Sequence, residues 1–363
     1  MSEVAARRVR SIALGTVIGV VLGLGLVVNA SAGASVRRQR DATTVRLGYF
    51  DNVTHAPALV GLEEGFFEDA LGSDVKLESS IFNAGPAAVT ALLSDSIDAT
   101  YIGPNPTVSA FQQSDGAVQV ISGAASGGAY LVVKPDIKSA KDLKGTTIAS
   151  PQLGNTQDVA LRSWLKKKGL STDTAGGGDV SILPQENAVT LQAFQDDQIQ
   201  GAWVPEPWAT RLVDEGGGKV LVDERKLWPD GKYVTTDLLV RKAFLDDNPD
   251  IVQKLLEGHV EAVDFINDAK TRSKAEADVA KRIEDDTAKP IAPELVTASF
   301  DNIVFTNDPI ASSLVKSAKA AAALGLPGAV ALTKADVNDL YSLELLNRVL
   351  KEQHQPAVSA TAT

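Results

Sequence analysis

The sequence predicts an α/β protein built as two lobes with a cleft between them. Three observations carry this. Strand-like and helix-like segments alternate from residue 45 to about 133, the alternation restarts near 134, and helical patterning fills 241–350. Alternating strands and helices build a largely parallel sheet covered by helices, so two such runs make two lobes. The helical remainder implies that the chain crosses between the lobes twice, near 130–135 and 232–240. Ligand pockets favour such interfaces.

Taken in order, Val45–Tyr49 reads as the first strand. A helix follows from His55 to Phe67, with Ala58, Leu59, Leu62 and Phe66 on one face. Val75–Ile81 alternates as a strand. Asn83–Pro106 then reads as a loop, a helix from Pro86, a tight turn, a short strand Ala99–Ile102 and a second loop at Gly103–Pro106. Val118–Ser122 and Ala129–Val133 are further strands. In the second run, Asp142–Ala149 is a turn entering a strand, and Gly154-Asn155-Thr156-Gln157 opens a helix Asp158–Lys168 that Gly169 ends. A glycine-rich loop at Thr174–Gly178, a strand Val180–Leu183, a helix Ala188–Asp196 and a strand at Gly201–Val204 follow. Val234–Val240 returns as a strand. The expected organisation is residues 45–133 and 239–350 as lobe 1, 134–238 as lobe 2, and 351–363 as a flexible tail.

Composition narrows the function. Hydrophobic residues at 44% and charged residues at 22% describe a folded globular chain of 363 residues. A net charge of −11 argues against nucleic acid, which needs a Lys/Arg-rich surface. There is no cysteine, which excludes disulfides, thiolate metal sites, thiol nucleophiles and a Cys-linked lipid anchor. The three histidines, His55, His259 and His354, are too scattered in sequence to suggest a metal cluster, and no cofactor is expected. Arg7, Arg8 and Arg10 precede an apolar run Ser11–Val28 and a small-residue stretch, with Ala30-Ser31-Ala32 as the best cleavage position. Residues 1–34 thus read as a signal peptide or an N-terminal membrane anchor, and the rest of the chain as exported.

No strong catalytic constellation is present. The sequence has no G-x-S-x-G and no H-E-x-x-H, and the paired carboxylates Glu63/Glu64 and Asp196/Asp197 are adjacent, so they diverge on a helix. Instead, the two loops flanking the 83–106 segment open onto helix starts at neighbouring strand ends. Helix N-termini present free N–H groups and a partial positive charge, which suits a small anion or polar ligand. The pattern is one for holding a ligand, not reacting with it.

In these residues the chain resembles the type II periplasmic-type substrate-binding proteins of ABC importers, in the group that binds aliphatic sulfonates, nitrate and taurine and includes thiamine-precursor-binding proteins. The resemblance covers roughly residues 45–350. It rests on Val45-Arg-Leu-Gly-Tyr-Phe50, Gly65-Phe66-Phe67, Ala84-Gly85-Pro86, Ser96-Ile97-Asp98-Ala99, Gly103-Pro104-Asn105-Pro106, Asp142-Leu143-Lys144-Gly145, Gly154-Asn155-Thr156 and Ala202-Trp203-Val204-Pro205-Glu206-Pro207-Trp208. It implies a ligand held between the lobes by Asn52, Thr54 and His55, by Asn83 and Gly85, and by Gly103, Pro104 and Asn105. From the second lobe it implies Asn155, Thr156, Gln157, Trp203, Glu206 and Trp208, with Gly127 and Gly128 letting backbone approach the ligand. The implied partners are a small sulfonate-like anion and a membrane permease with its ATPase, with a monomer as the default.

Each of these residues also has a plainer role open to it. Asn155 and Thr156 are good N-caps, and capping uses the same N–H groups as anion binding. Trp203 and Trp208 are equally at home in a core. His55 suits a solvated or capping position. Glu206 would repel a sulfonate unless it points away or pairs, and would suit an ammonium or ring N–H. Taurine, nitrate and a thiamine precursor or other heterocycle stay open as ligands, and a ligand-sensing envelope receptor stays open as the role.

Overall fold

A computed structural model describes residues 43–360, so the expected signal peptide or anchor at 1–34 lies outside the described residues. Among the described residues no helix is long and apolar enough to cross a membrane. Two mixed sheets flanked by helices form the two-lobed α/β fold. The first six strands are β1 (Thr43–Tyr49), β2 (Val75–Ile81), β3 (Ala99–Ile102), β4 (Val118–Gly127), β5 (Ala129–Val133) and β6 (Thr147–Ser150). The other five are β7 (Ser181–Pro184), β8 (Gly201–Pro205), β9 (Lys219–Asp223), β10 (Val234–Arg241) and β11 (Ile303–Phe305). The first sheet runs β11-β4-β10-β3-β1-β2 and the second β7-β6-β8-β5-β9. In each sheet the outgoing strands pair in parallel, and the crossing strands pair antiparallel to them.

Helices α1 (Ala56–Glu63), α2 (Phe66–Leu71), α3 (Gly85–Leu93) and α4 (Pro104–Gln113) follow strands of the first sheet. The single helix expected over 55–67 divides at Gly65, whose φ of 77° lies in the left-handed region that glycine adopts without strain. Helices α5 (Thr156–Lys167), α6 (Asn187–Gln195) and α7 (Trp208–Asp214) belong to the second lobe. The C-terminal run adds α8 (Lys242–Asp247), α9 (Pro249–Asn267), α10 (Arg272–Thr287), α11 (Pro293–Asp301), α12 (Ala311–Ala323), α13 (Lys334–Leu340) and α14 (Glu344–Glu352). The stretch from Gln355, expected to fray, is tied back: Val358 N donates to Asn347 Oδ1 at 2.8 Å, and Asn347 Nδ2 donates to Val358 O at 3.0 Å.

Two strands change sheets relative to expectation. β5, assigned from sequence to the first lobe, pairs with β8 and β9 in the second sheet, so the first crossing is at Gly127-Gly128. Both glycines have positive φ, and a side chain on Gly128 would strike Ile303 and Thr54. β10, assigned mostly to lobe 2, lies between β3 and β4 in the first sheet, which moves the second crossing to the segment before Val234. β9 and β11 were not expected. Both are short, and β11 interrupts a run of helices.

Asp98 fixes the register of the first sheet. It is buried at the head of β3 and accepts from Arg46 N at 3.0 Å, Arg46 Nε at 2.9 Å and Arg241 at 2.6 Å. One carboxylate thereby joins β1 and β10 across β3. Burial alone raises its pKa, but the hydrogen bonds from Arg46 and Arg241 outweigh this and hold it below the usual carboxylate value. The native state therefore favours the charged form, giving stability that is full above pH 4 and is lost as pH falls through the depressed native value. Asp98→Ala should destabilise the fold by about 2 kcal/mol, because it removes the buried acceptor that Arg46 and Arg241 share, while Arg241 keeps Asp95. Urea denaturation checks this, with the midpoint falling at unchanged m-value.

Candidate functional site

Strand ends and helix starts from both lobes converge on an inner cleft. It is lined from the first lobe by Phe50, Asn52, Thr54, His55, Asn83, Gly103 and Thr235. From the second lobe come Pro151, Asn155, Thr156, Gln157, Asn187 and Pro205. Its volume is about 20 Å³, close to what one water needs, so a larger ligand enters by separation of the lobes. No Lys, Arg, Asp or Glu lines it. Polarity comes instead from five carboxamides, three threonine hydroxyls, the His55 ring and backbone.

The start of α5 is the best-defined wall. Asn155 stands at the N-cap in extended conformation, but no side chain caps the helix, leaving the first-turn N–H groups without that acceptor. The expected competition between capping and binding is thus absent for Asn155. Thr156 Oγ1 is buried without a partner. Asp158, one turn in, anchors this start: it accepts from Ser150 Oγ at 2.8 Å, Gly154 N at 3.0 Å and the buried Arg162 Nε at 2.9 Å. Gly103 faces this wall so closely that a side chain there would strike Thr156.

His55 is buried and stacks on Phe50 with ring centroids 4.4 Å apart. Its Nδ1 accepts from Phe50 N at 3.3 Å, which puts the ring proton on Nε2. Desolvation lowers its pKa to about 3, so the cleft gains no charge from it at neutral pH.

Of the expected site residues, Asn52, Thr54, His55, Asn83, Gly103, Asn155, Thr156 and Gln157 come together in this cleft. The others do not line it. Gly85 packs against Pro106, leaving no space for a side chain. Pro104 is the first helical residue of α4, after the Gly103 N-cap, and Asn105 turns to an outer groove beside Pro86 and Leu326, donating to Ser317 O at 3.3 Å. Gly127 and Gly128 serve the crossing, where Gly128 O accepts from Glu206 N at 2.8 Å. Trp203 is a correction: β8 alternation turns it into the second core, edge-on to Trp164, with Nε1 donating to Glu224 at 2.7 Å.

Glu206 is a second correction. Its carboxylate is buried and accepts from Thr210 N and Thr210 Oγ1, each at 3.0 Å, and from Asn302 Nδ2 at 2.8 Å, with Ser299 Oγ at 3.4 Å. It therefore joins the lobes and is not free for a ligand. Burial raises its pKa against the pull of these donors. Trp208 lines a separate mouth cavity and donates from Nε1 to Asn52 Oδ1 at 2.9 Å.

Phe50, Pro151, Asn187, Pro205 and Thr235 line the cleft unforeseen. Asn187 had a readable signal, since it opens a helix directly after a strand, as Asn155 does. Thr235 had none, because it sits inside a crossing strand.

The NMT1-like family model matches residues 38–283. The chain belongs to that family. Among its relatives is the taurine-binding periplasmic protein of Escherichia coli K12, 28% identical over 233 residues, covering 64% of this chain and 69% of the relative. Solved folds of the same kind include the nitrate-binding protein NrtA of Synechocystis PCC 6803, with TM-score 0.72 at 18% identity, covering 87% of this chain and 90% of that one. Another is the alkanesulfonate-binding protein SsuA of Xanthomonas axonopodis pv. citri bound to MOPS, with TM-score 0.65 at 20% identity, covering 80% and 96%. The NMT1-like chain therefore has the periplasmic-binding-protein fold. The relatives named here are binding proteins, none of them an enzyme.

Two buried histidines, His55 in the cleft and His259 away from it, give the protein a pH signature. His259, held between Tyr101 and Ser122, has its pKa lowered by burial to about 4, as His55 has to about 3. Unfolded histidines take up protons below about pH 6.5 while these two do not. Their contribution to stability is therefore full above pH 6.5 and is lost as pH falls toward 4. Ring resonances of His55 and His259 in NMR should stay at their neutral positions from pH 8 down to 5.5.

Proposed function

We propose that this protein is the extracytoplasmic solute-binding component of an ABC importer, capturing a small sulfonate-type ligand between its lobes and delivering it to a membrane permease. The single observation that carries the ligand class is an inner cleft without charged side chains, walled by the uncapped start of α5. A sulfonate keeps one delocalised negative charge at any physiological pH. Aligned N–H groups and carboxamides can hold such a monoanion without a cation. A dianion would leave charge uncompensated in a buried place.

The relatives support the same role. They include proteins named for taurine, nitrate and alkanesulfonate, which share a small anionic group. Their periplasmic setting agrees with the export signal expected at residues 1–34, and a monomer suits a carrier that presents both lobes to a permease. We assign β1–β4, β10, β11 and the C-terminal helices to lobe 1, and β5–β9 to lobe 2.

A thermal-shift screen against alkanesulfonates, taurine, nitrate and thiamine precursors tests this reading. A cognate ligand at 100 times its Kd should add about 2.7 kcal/mol of stability. Asn155→Ala combined with Thr156→Ala should weaken sulfonate binding more than tenfold by calorimetry with the melting temperature nearly unchanged. Unaltered affinity in that variant would remove the α5 start from the site.

A further inference from the structure

A larger hollow lies on the outside of the cleft wall. It is a groove of about 290 Å³ between α3, α4 and α12 of the first lobe and the Leu153-Gly154 turn of the second. That volume is close to the lower end for small-molecule sites, about 300 Å³. The groove shares no lining residue with the inner cleft. Between them Gly85 packs on Pro106 and faces Asn155, with no space for a side chain.

The lining sets the chemistry of an occupant. No Lys, Arg, His, Asp or Glu lines the groove, so a charged group there would lose hydration without compensation. Pro86, Val89, Pro106 and Leu326 make apolar walls, and Leu153 and Val330 add exposed hydrophobic side chains. Most of the polar side chains are already paired. Gln112 clasps Val330, donating to its O at 2.5 Å and accepting from its N at 3.3 Å. Gln113 Nε2 donates to Ser109 Oγ at 2.7 Å, and Thr90 Oγ1 to Pro86 O at 3.1 Å. Asn105 differs. It is 5% exposed, and its Nδ2 donates to Ser317 O at 3.3 Å, which leaves Oδ1 a buried acceptor with no partner. A buried acceptor left unmade is destabilising, so this one calls for a donor.

Both lobes meet around the groove. Val159 of α5 packs with Ala321 and Leu326, and Lys166 Nζ donates to Ala323 O at 2.8 Å. We propose that the groove is a second small-molecule site, taking a neutral, hydrophobic compound with one hydrogen-bond donor and bridging the lobes through it. The donor, a hydroxyl or ring N–H, meets Asn105 Oδ1, and the apolar body lies between α3, α12 and Leu153. An occupant that touches both lobes favours the closed arrangement over a separated one. Asn105, expected from the sequence to serve the inner cleft, serves this site instead, whatever ligand the cleft holds.

Calorimetry on the full chain with phenol and its isostere toluene tests this, with amide shifts in NMR locating the probe. Phenol should bind saturably and about fivefold or more tightly than toluene, although toluene is the more hydrophobic. Amides of Leu153, Gly154, Ala329 and Val330 should shift together, while those of Asn52 to His55 stay in place. Asn105→Leu should erase the advantage of phenol while toluene still binds. Leu153→Ala, at an exposed position of the second lobe, should weaken both compounds by about threefold or more. The proposal is overturned if phenol does not bind, shifts only the inner-cleft amides, or binds no better than toluene. Benzoate bound as tightly as phenol overturns it too, as does an Asn105→Leu protein that keeps the preference. Should that variant fail to fold, the wild-type pair and the amide shifts decide alone.

Discussion

One buried carboxylate holds the two lobes to each other. Glu206 stands at the end of β8 and takes hydrogen bonds from Thr210 on its own side and from Asn302 and Ser299 on the other. Its backbone is used as well: Glu206 N donates to Gly128 O at 2.8 Å, and Glu206 O accepts from Val53 N at 3.1 Å. Burying a carboxylate is costly unless several donors surround it, so these partners are a condition of the closed arrangement. Every residue of the inner cleft is positioned relative to this junction. Val53 introduces Thr54 and His55, and Gly128 starts the strand that runs beside β8.

From that junction the cleft follows as a matter of topology. Parallel strands end on one side of each sheet, and the helices after them begin there. Facing the two sheets across the crossings brings α5 and α6 starts opposite the loops after β1, β2 and β3. The cleft is polar without being charged, and His55 stays neutral because it is desolvated. Such a site discriminates by geometry and by the count of donors, with little contribution from long-range attraction. That fits a chain whose net charge of −11 would otherwise repel anions.

The alternation of strands and helices made the two-lobe architecture legible from sequence, and the rule that ligands sit where helices begin after strands pointed to Asn155, Thr156 and Gln157, which line the cleft. What escaped was decided by side-chain direction. Trp203 and Glu206 lie in the right loop, but strand alternation sends the indole into the core, and Thr210, Asn302 and Ser299 draw the carboxylate away from the cleft. Of these, Asn302 and Ser299 lie more than 90 residues away in a helical run, so nothing local signals the contact. The sheet changes of β5 and β10 escaped for a related reason. A crossing strand has the same composition as its neighbours, and only pairing reveals which sheet it joins.

Hydrogen exchange on the full chain, with and without saturating taurine, tests most directly whether the helix starts form the site. Slowed exchange is expected at the amides of Thr156 to Asp158 and of Val53 to Ala56, the segments that would meet the ligand from opposite lobes. Protection absent from both, or confined to the outer groove around Leu326 to Val330, would contradict it.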